Sequence, residues 1–227
     1  PGADYRNRIF DPAGELRFAG HPSLGTAVAV AHARGEREAS YVQQTLAGHQ
    51  PIDVTLDGNA ARASMLQEPP AFGPELDAAD VLAHAGLTAA DGDPELPVQV
   101  VSTGVPQVLA PVRPQALSRA LPDYDRIEPL LHGFEAITLY LAACEPERGR
   151  VRARAFGHTR DVGEDPGTGS AAGPLMAYLH ARTSIDTLEI EQGVEMGRPS
   201  RLECAMEGDR PRVGGAAAIL IEGTVSL

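Results

Sequence analysis

Tryptophan is absent from this sequence of 227 residues, and cysteine occurs only twice, as Cys144 and Cys204. Two cysteines are too few for a disulfide scaffold or a cysteine-rich metal centre, so we interpret both as structural residues. The histidines show no metal-ligand spacing, and the sequence has no P-loop or dinucleotide-binding glycine motif. We therefore expect no metal and no cofactor. Aromatic residues make up 4% of the chain against 43% for all hydrophobic residues, which predicts a core of aliphatic side chains and alanine.

Net positive charge and long apolar runs are also lacking. The chain has 19 Lys and Arg residues against 31 Asp and Glu residues, which gives a formal net charge of −12. Nucleic-acid partners are not expected, because they require a basic surface. No apolar run approaches the roughly 18 residues that a membrane span requires, so no membrane contact is expected. Residues 1–6 show no signal-peptide pattern, and we expect a cytoplasmic protein.

One short motif occurs twice. Residues 22–27 and 166–171 both have the pattern Pro-x-x-Gly-[Ser/Thr]-Ala, and they lie 144 positions apart. A residue suited to acid–base chemistry precedes each copy, His21 in the first and Asp165 in the second. Each copy leads into an alanine-rich segment, which predicts two glycine-containing loops that each open a helix. We infer two related half-domains facing one site, where the helix starts would bind a carboxylate through backbone N–H groups.

Hydrophobic periodicity predicts an α+β fold for both halves. We place the boundary in the acid-, glycine- and proline-rich segment 91–97, which gives an N-terminal half of residues 1–95 and a C-terminal half of 96–227. Each half is expected to wrap a curved mixed sheet around one central helix, at 20–34 and at 170–182. The other expected elements are strands at 4–10, 15–19, 41–46, 52–56, 61–66, 98–102, 108–112, 136–143, 151–156, 188–192, 200–205 and 216–222, helices at 78–85 and 114–120, a turn at 11–14 and a loop at 68–74.

The repeat also leads to an expectation about the start of the chain. The second half begins near Leu96, about 70 residues before its motif, whereas only 21 residues precede Pro22. If the halves are equivalent, roughly 49 further residues precede Pro1 in the native protein, and its mass exceeds 23.9 kDa by about 5 kDa. The alternative is that the halves diverged and that the first is naturally short.

Several stretches of the chain resemble one known family. Residues 20–27, Gly-His-Pro-Ser-Leu-Gly-Thr-Ala, are similar to the Gly-His-Pro-Thr-Leu-Gly-Thr-Ala signature of the phenazine biosynthesis PhzF-like proteins. Residues 164–173 are similar to their Glu-Asp-Pro-Ala-Thr-Gly-Ser-Ala-Ala-Gly, and 98–106, 192–200 and 212–215 are also similar. The resemblance implies the diaminopimelate epimerase-like fold, in which two pseudo-symmetric halves enclose the active site, often within a homodimer. It also implies a cofactor-independent isomerase.

The resemblance implies roles for individual residues. His21 matches the family's active-site histidine, Asp165 its aspartate beside the second helix and Ser170 a serine near the substrate, so these three are expected to be catalytic. The residues expected to bind substrate are Gly20, Ser23, Gly25, Thr26, Gly167, Thr168 and Gly169. The family's proton-shuttling glutamate lies in an Asn-x-Ser-Glu segment, which this sequence does not contain. The family usually has alanine where this chain has Gly167, and the stretch 157–161 is also unusual for it.

The same residues have structural alternatives. His21 could be an ordinary loop residue, and Asp165 or Ser170 could serve only to cap the second helix. The glycines of the motifs could serve close helix packing rather than a ligand. The loop that contains His158 and Asp161 could line the site or be exposed. Similarly, Arg198 could hold a substrate carboxylate or lie in a surface turn.

We therefore expect a PhzF-like isomerase that moves a proton on a small carboxylate-bearing metabolite by general acid–base catalysis. One alternative is a non-catalytic binding or interaction protein on the same scaffold. Another is an enzyme of altered chemistry, such as a cyclase or dehydratase, that uses His21 or Asp165 as its only acid–base group. Both cysteines lie outside the two motifs, which disfavours the related racemases that use a cysteine pair.

Overall fold

The structure, a computed structural model, describes residues 2–11 and 14–224. The predicted turn at 11–14 lies largely outside the described residues. The chain divides into two compact units, an N-terminal unit of Pro1–Leu66 with Gly214–Leu227 and a C-terminal unit of Gln67–Val213.

This division differs from the predicted boundary between residues 95 and 96. Residues 67–95 belong to the C-terminal unit, because Val81, Leu82 and Leu87 are buried in a core of that unit. The end of the chain belongs to the N-terminal unit, where Ala217 packs against the core. The glycine- and proline-rich composition of the predicted boundary segment therefore marks a connection within one unit.

The N-terminal unit packs one helix against a sheet. Its elements are β1 (Tyr5–Arg6), β2 (Ile9–Asp11), β3 (Gly14–Leu16), α1 (Gly20–Arg34), β4 (Glu38–Thr45), β5 (Gly48–Asp57) and β6 (Ala60–Leu66). The sheet order is β1-β4-β5-β6, with β1 parallel to β4 and the other pairs antiparallel. Strands β2 and β3 form a separate hairpin. The predicted strand at 4–10 is thus two strands with different partners.

Helix α1 occupies the range predicted for it. Its buried face is made of small and branched residues at helical spacing, with Ala27, Val28 and Ala31 packed in one core with residues of β4, β5 and β6. The helix ends at Gly35, which adopts a left-handed φ of 69° and donates its N–H to the carbonyl of His32 at 3.0 Å.

The C-terminal unit is built on a larger mixed sheet. Its strands are β7 (Ala71–Leu76), β8 (Val98–Ser102), β9 (Pro106–Pro111), β10 (Thr138–Glu145), β11 (Arg150–Gly157), β12 (Glu164–Asp165), β13 (Thr187–Gln192), β14 (Ser200–Glu207) and β15 (Arg210–Ala218), the last of which enters the N-terminal unit at Gly214. Its helices are α2 (Ala78–Ala83), α3 (Pro114–Leu117), α4 (Tyr124–Gly133) and α5 (Gly169–Thr183), with 3₁₀ turns at Ala89–Asp91 and Pro146–Arg148. The sheet order is β15-β14-β13-β11-β10-β9-β8-β7, and β12 pairs with β11. The pairs β9–β10 and β11–β13 are parallel.

Alternate residues of the central strand β10 belong to two separate cores, as the two-residue period of a strand requires. Leu139 and Leu141 lie in a core with α2, α3 and α4, whereas Tyr140 and Ala142 lie in a core with α5. Nine consecutive residues of α5, Ala171–Leu179, are buried. This burial on all sides agrees with the central helix predicted for the second half.

Strand β7, Ala71–Leu76, overlaps the second part of the predicted loop at 68–74. It is the edge strand of the C-terminal sheet, and its register shifts between Phe72 and Glu75. Gly73 and Pro74 lie at this shift, and both residues are typical of irregular edge strands. The prediction of a loop at 68–74 was therefore wrong for residues 71–74.

A helix and the last strand also differ from the prediction. Helix α4 was not predicted, because Pro129 and several charged residues obscure a short apolar face formed by Ile127 and Leu131. The final strand was predicted at 216–222 but lies at Arg210–Ala218.

Candidate functional site

The second copy of the motif forms a tight loop between β12 and α5. The Asp165 carboxylate accepts two hydrogen bonds within it, from the Thr168 hydroxyl to Oδ2 at 2.7 Å and from the Gly167 N–H to Oδ1 at 3.2 Å. Thr168 is the N-cap residue of α5, so the alternative in which Asp165 itself caps the helix differs from the structure. Asp165 is half-buried. We call residues 165–168 the Asp165 loop.

Ser170 lies in the first turn of α5, directly after this loop. Its side chain is half-buried, makes no hydrogen bond within the described part of the chain, and does not cap the helix. The backbone N–H groups of Gly169 and Ser170 lie in the first turn of α5, where no preceding helical carbonyl can accept from them. The helix dipole adds partial positive charge at this end. Together these groups suit an anionic oxygen such as that of a carboxylate.

A buried glutamine that the sequence analysis did not single out holds the Asp165 loop. The Gln192 amide nitrogen donates to the Asp165 backbone oxygen at 2.7 Å and to Thr168 Oγ1 at 2.9 Å. Its amide oxygen accepts from the Thr168 N–H at 3.2 Å and from the Tyr140 hydroxyl at 2.9 Å. The sequence carried a signal for its burial: buried and more exposed residues alternate along β13, and Gln192 falls at a buried position after Leu188 and Ile190.

A second buried glutamine, Gln67, contacts the first turn of α5. Its amide nitrogen donates to the Gly169 carbonyl at 2.9 Å, and its amide oxygen accepts from the Thr103 hydroxyl at 2.5 Å. The Gln67 side chain also fills the space beside Gly173, where a Cβ would lie 1.9 Å from its amide oxygen. A side chain at position 173 would therefore displace the Gln67 amide from these hydrogen bonds.

A buried ion pair fixes the residue before Asp165. Arg154 Nε and an Nη atom donate to the two carboxylate oxygens of Glu164 at 2.8 Å each. The other Nη atom of Arg154 donates to the carbonyls of Leu117 and Ala120 at 2.7 and 2.9 Å. The hydrogen bonds to Glu164 raise the pKa of Arg154 above its ordinary value, so the guanidinium stays charged.

The turn after β13 packs against the Asp165 loop. Gly193 has a φ of 79°, and a Cβ there would lie 2.9 Å from the Pro166 carbonyl oxygen. A Cβ on Gly167 would lie 3.1 Å from Ser200 Oγ. The alanine that the resemblance led us to expect at Gly167 would thus press on Ser200, the first residue of β14.

The first copy of the motif lies inside α1 rather than in a loop before it. The helix begins at Gly20, His21 is exposed in its first turn, and Pro22 supplies no N–H there. Ser23 is fully buried and its hydroxyl donates to the Ala19 carbonyl at 2.8 Å, a placement that differs from its predicted role in substrate binding.

The remaining predicted residues of the first motif also lie in α1. Thr26 is half-buried, and its hydroxyl lies 3.4 Å from Asn7 Oδ1. Gly25 is exposed, and a Cβ built on it meets no atom of the described chain within 4 Å, so helix packing does not explain this glycine. Its N–H belongs to the helical ladder, because α1 begins five residues earlier. It is therefore not the free donor that the motif predicted.

Both cysteines pack in the C-terminal core that contains α5. Burial raises the pKa of each thiol to about 12, so both are protonated at neutral pH. This agrees with their interpretation as structural residues. His158, Asp161 and Arg198 are exposed, and the described residues contain no cluster of His, Cys, Asp and Glu that could hold a metal ion.

The arrangement of strands, helices and motifs matches a known family over almost the whole chain. The model for the phenazine biosynthesis-like proteins matches residues 2–223. The chain belongs to this family. Trans-2,3-dihydro-3-hydroxyanthranilate isomerase of Pseudomonas aeruginosa, one such relative, is 35% identical over 236 residues, which cover 99% of this chain and 80% of that protein.

Solved structures of similar proteins show the same fold. A predicted epimerase of Pseudomonas aeruginosa superimposes with a TM-score of 0.79 at 32% identity, covering 96% of this chain and 79% of that one. A PhzF family protein of Bacillus anthracis gives a TM-score of 0.79 at 26% identity, with coverage of 96% and 81%. The α+β, diaminopimelate epimerase-like fold predicted from the sequence is confirmed.

The names of these relatives bear on the predicted activity. The homologues are named isomerases or epimerases, which supports an isomerase-type enzyme and confirms that part of the prediction. None of the helices in residues 2–11 and 14–224 has both the length and the apolar character that crossing a bilayer demands.

Proposed function

We propose that this chain is an isomerase that moves a proton on a small carboxylate-bearing metabolite by general acid–base catalysis, without a cofactor. The observation that carries the proposal is the Asp165 loop. A half-buried carboxylate, held by the Thr168 hydroxyl and the Gly167 N–H, lies directly before a helix of 15 residues. A base in this position can accept a proton from carbon while the helix start stabilises negative charge on the substrate.

His21 is proposed as the second acid–base group. Its side chain is exposed in the first turn of α1 and makes no hydrogen bond or ion pair within the described residues, so it is available to a substrate. An imidazole ring can donate a proton from one nitrogen and accept one at the other, which suits proton transfer to carbon. Ser170, whose hydroxyl is also without a partner among the described residues, is proposed to donate to the substrate carboxylate.

The names of the relatives supply a first test compound. Trans-2,3-dihydro-3-hydroxyanthranilate carries one carboxylate, which is the group that the start of α5 suits. We propose a substrate of this class, a small anionic metabolite with an acidic C–H bond, and we use this compound as the probe.

Proton transfer to carbon is visible in D₂O. The purified protein is incubated with the compound, and ¹H NMR follows isomerisation and the incorporation of deuterium at carbon. We expect turnover that falls by about 10²–10⁴-fold in Asp165→Asn and in His21→Asn, the usual contribution of an acid–base group. Matched controls are Asp125→Asn and His49→Asn, because both residues are exposed and lie outside the two motifs.

Two results would contradict the proposal. Binding of the compound and of other small carboxylates without any deuterium incorporation would assign a binding role. Turnover that survives both substitutions would mean that other groups transfer the proton.

A further inference from the structure

Four polar side chains form one continuous hydrogen-bonded chain that ends at the candidate base. It runs from Tyr140 to Gln192, then to Thr168, and then to Asp165. Tyr140 and Gln192 are 0% exposed and Thr168 is 5% exposed. Because buried polar groups must satisfy one another, each donor in the chain has to face an acceptor.

Two backbone groups fix the orientation of the Gln192 amide. The Thr168 N–H can only donate, so the amide atom 3.2 Å from it is the oxygen. The Asp165 carbonyl can only accept, so the amide atom 2.7 Å from it is the nitrogen. In the opposite orientation, the amide nitrogen would face the Thr168 N–H, which is also a donor, and the amide oxygen would face the Asp165 carbonyl, which is also an acceptor.

This orientation sets the direction of every other bond in the chain. One amide hydrogen of Gln192 goes to the Asp165 carbonyl, and the other goes to Thr168 Oγ1 at 2.9 Å. Thr168 Oγ1 therefore accepts from Gln192, and its single hydrogen is left for Asp165 Oδ2 at 2.7 Å. At the other end, Tyr140 faces the amide oxygen at 2.9 Å and must donate.

We propose that Gln192 is a positioning residue for Asp165: it makes the Thr168 hydroxyl donate to the Asp165 carboxylate and so presents that carboxylate to substrate as a hydrogen-bond acceptor. This proposal rests on the proposed function only for the statement that Asp165 contacts a substrate. The direction of the hydrogen-bonded chain is independent of it.

The consequence for chemistry is that Asp165 is held ready to accept a proton. A proton on Oδ2 would place two hydrogens between Asp165 and Thr168, and the Thr168 hydroxyl cannot turn towards Gln192 because an amide hydrogen already lies there. The longer contact at Oδ1, 3.2 Å from the Gly167 N–H, leaves that oxygen as the one to receive the proton. Gln192 itself is fully buried and acts only through Thr168.

The direction of these hydrogen bonds can be measured without any substitution. Neutron diffraction from crystals of the unsubstituted protein grown in D₂O locates the deuterium atoms. We expect the Thr168 deuterium on the line to Asp165 Oδ2, and two deuterium atoms on the Gln192 atom that faces Thr168 Oγ1. A Thr168 deuterium directed at Gln192, or a deuterium bound to Asp165 Oδ2, would overturn the proposal.

Substitutions then test whether the chain positions Asp165 for catalysis. Thr168→Val keeps the shape of the side chain without the hydroxyl, and Thr168→Ser keeps the hydroxyl. Gln192→Glu replaces the donor to Thr168 with an acceptor, which draws the hydroxyl hydrogen away from Asp165. We expect kcat to fall by about 10-fold or more in Thr168→Val and Gln192→Glu with KM within about 3-fold of wild type, and Thr168→Ser to retain most of the rate.

The outcomes separate this inference from the proposed function. Equal kcat values for folded Thr168→Val and Thr168→Ser would overturn the positioning role while the isomerase activity stands. If the unsubstituted protein shows no turnover, the proposed function fails, and the neutron maps still decide the direction of the chain. A variant that does not fold is set aside, and the neutron result from the unsubstituted protein decides.

Discussion

Arg154 and Glu164 meet through two parallel hydrogen bonds of 2.8 Å, one residue before Asp165. Their side chains are only 10% and 14% exposed. Strand β12 consists of Glu164 and Asp165 alone, so it has few ladder bonds to fix its position. The ion pair supplies this constraint, because the same guanidinium is also held by two backbone carbonyls. The position of the candidate base, Asp165, therefore depends on the buried ion pair that Glu164, the residue before it, forms with Arg154.

Removing one partner of this pair is expected to be costly. Glu164→Gln leaves the Arg154 guanidinium buried without its ion-pair partner, and we expect the free energy of unfolding to fall by about 3–5 kcal/mol. Urea denaturation measures the change. The control is Glu145→Gln, which breaks the exposed pair with Arg148 and should cost less than about 1 kcal/mol. Equal small effects of the two substitutions would show that the buried pair does not fix β12.

The elements that the sequence predicted correctly are those set by local patterns. Helix α1 was delimited by a proline in its first turn and a glycine at its end, and α5 by the loop that precedes it. Both depend on residues close together in the chain. Strand β7 and helix α4 were missed because Gly73, Pro74 and Pro129 oppose regular structure locally, and packing against the rest of the unit overrides them.

The candidate site was predicted only in its local part. Asp165, Thr168 and Ser170 follow one another in a motif, so the sequence was enough to place them together. Gln192 binds the Asp165 carbonyl from 27 positions away, and Gln67 binds the Gly169 carbonyl in the first turn of α5 from 102 positions away. The alternation of β13 marks Gln192 as buried, but the partners of both side chains are set by strand pairing and helix packing.

Gly25 offers a test that separates stability from ligand binding. It lies within α1, is exposed and has open space for a Cβ, so Gly25→Ala should raise the free energy of unfolding by about 0.5–1 kcal/mol through helix propensity. Thermal unfolding measures the gain. The reverse change at an exposed alanine of the same helix, Ala29→Gly, should lower stability by a similar amount. A loss of stability in Gly25→Ala would mean that the position is not open.

The turnover of the same variant decides whether Gly25 belongs to the substrate site. Unchanged kcat and KM would remove Gly25 from the predicted binding residues. A raised KM in a protein of equal or greater stability would show that the substrate approaches the α-carbon of Gly25.

Gly167 and Ser200 are expected to be energetically coupled. A Cβ on Gly167 would lie 3.1 Å from Ser200 Oγ and 3.2 Å from its Cβ, which is closer than ordinary contact. Gly167→Ala should therefore destabilise the protein by about 1–3 kcal/mol through overpacking. In the double variant Gly167→Ala/Ser200→Gly most of this loss should be recovered. A double-mutant cycle from urea unfolding gives the coupling, and strict additivity of the two single changes would contradict the contact.

Cys204 should make the folded state sensitive to alkaline pH. The thiol is 5% exposed, and burial raises its pKa from 9.0 to about 12. Between these values the unfolded chain releases the thiol proton and the folded chain keeps it, so stability falls as pH rises, by about 1.4 kcal/mol per pH unit from this group. Well below pH 9 both states keep the proton, and the group contributes no pH dependence.

The measurement compares urea unfolding of the wild type and of Cys204→Ala at pH 8, 9 and 10. The substitution lowers stability at all three values, because it removes buried atoms, but it also removes one titrating group. The gap between the two proteins should therefore narrow by about 0.4 kcal/mol between pH 8 and pH 9 and by about 1 kcal/mol between pH 9 and pH 10. Parallel stability curves up to pH 10 would mean that the folded protein ionises this thiol as readily as the unfolded chain does, which its position in the core with α5 does not allow.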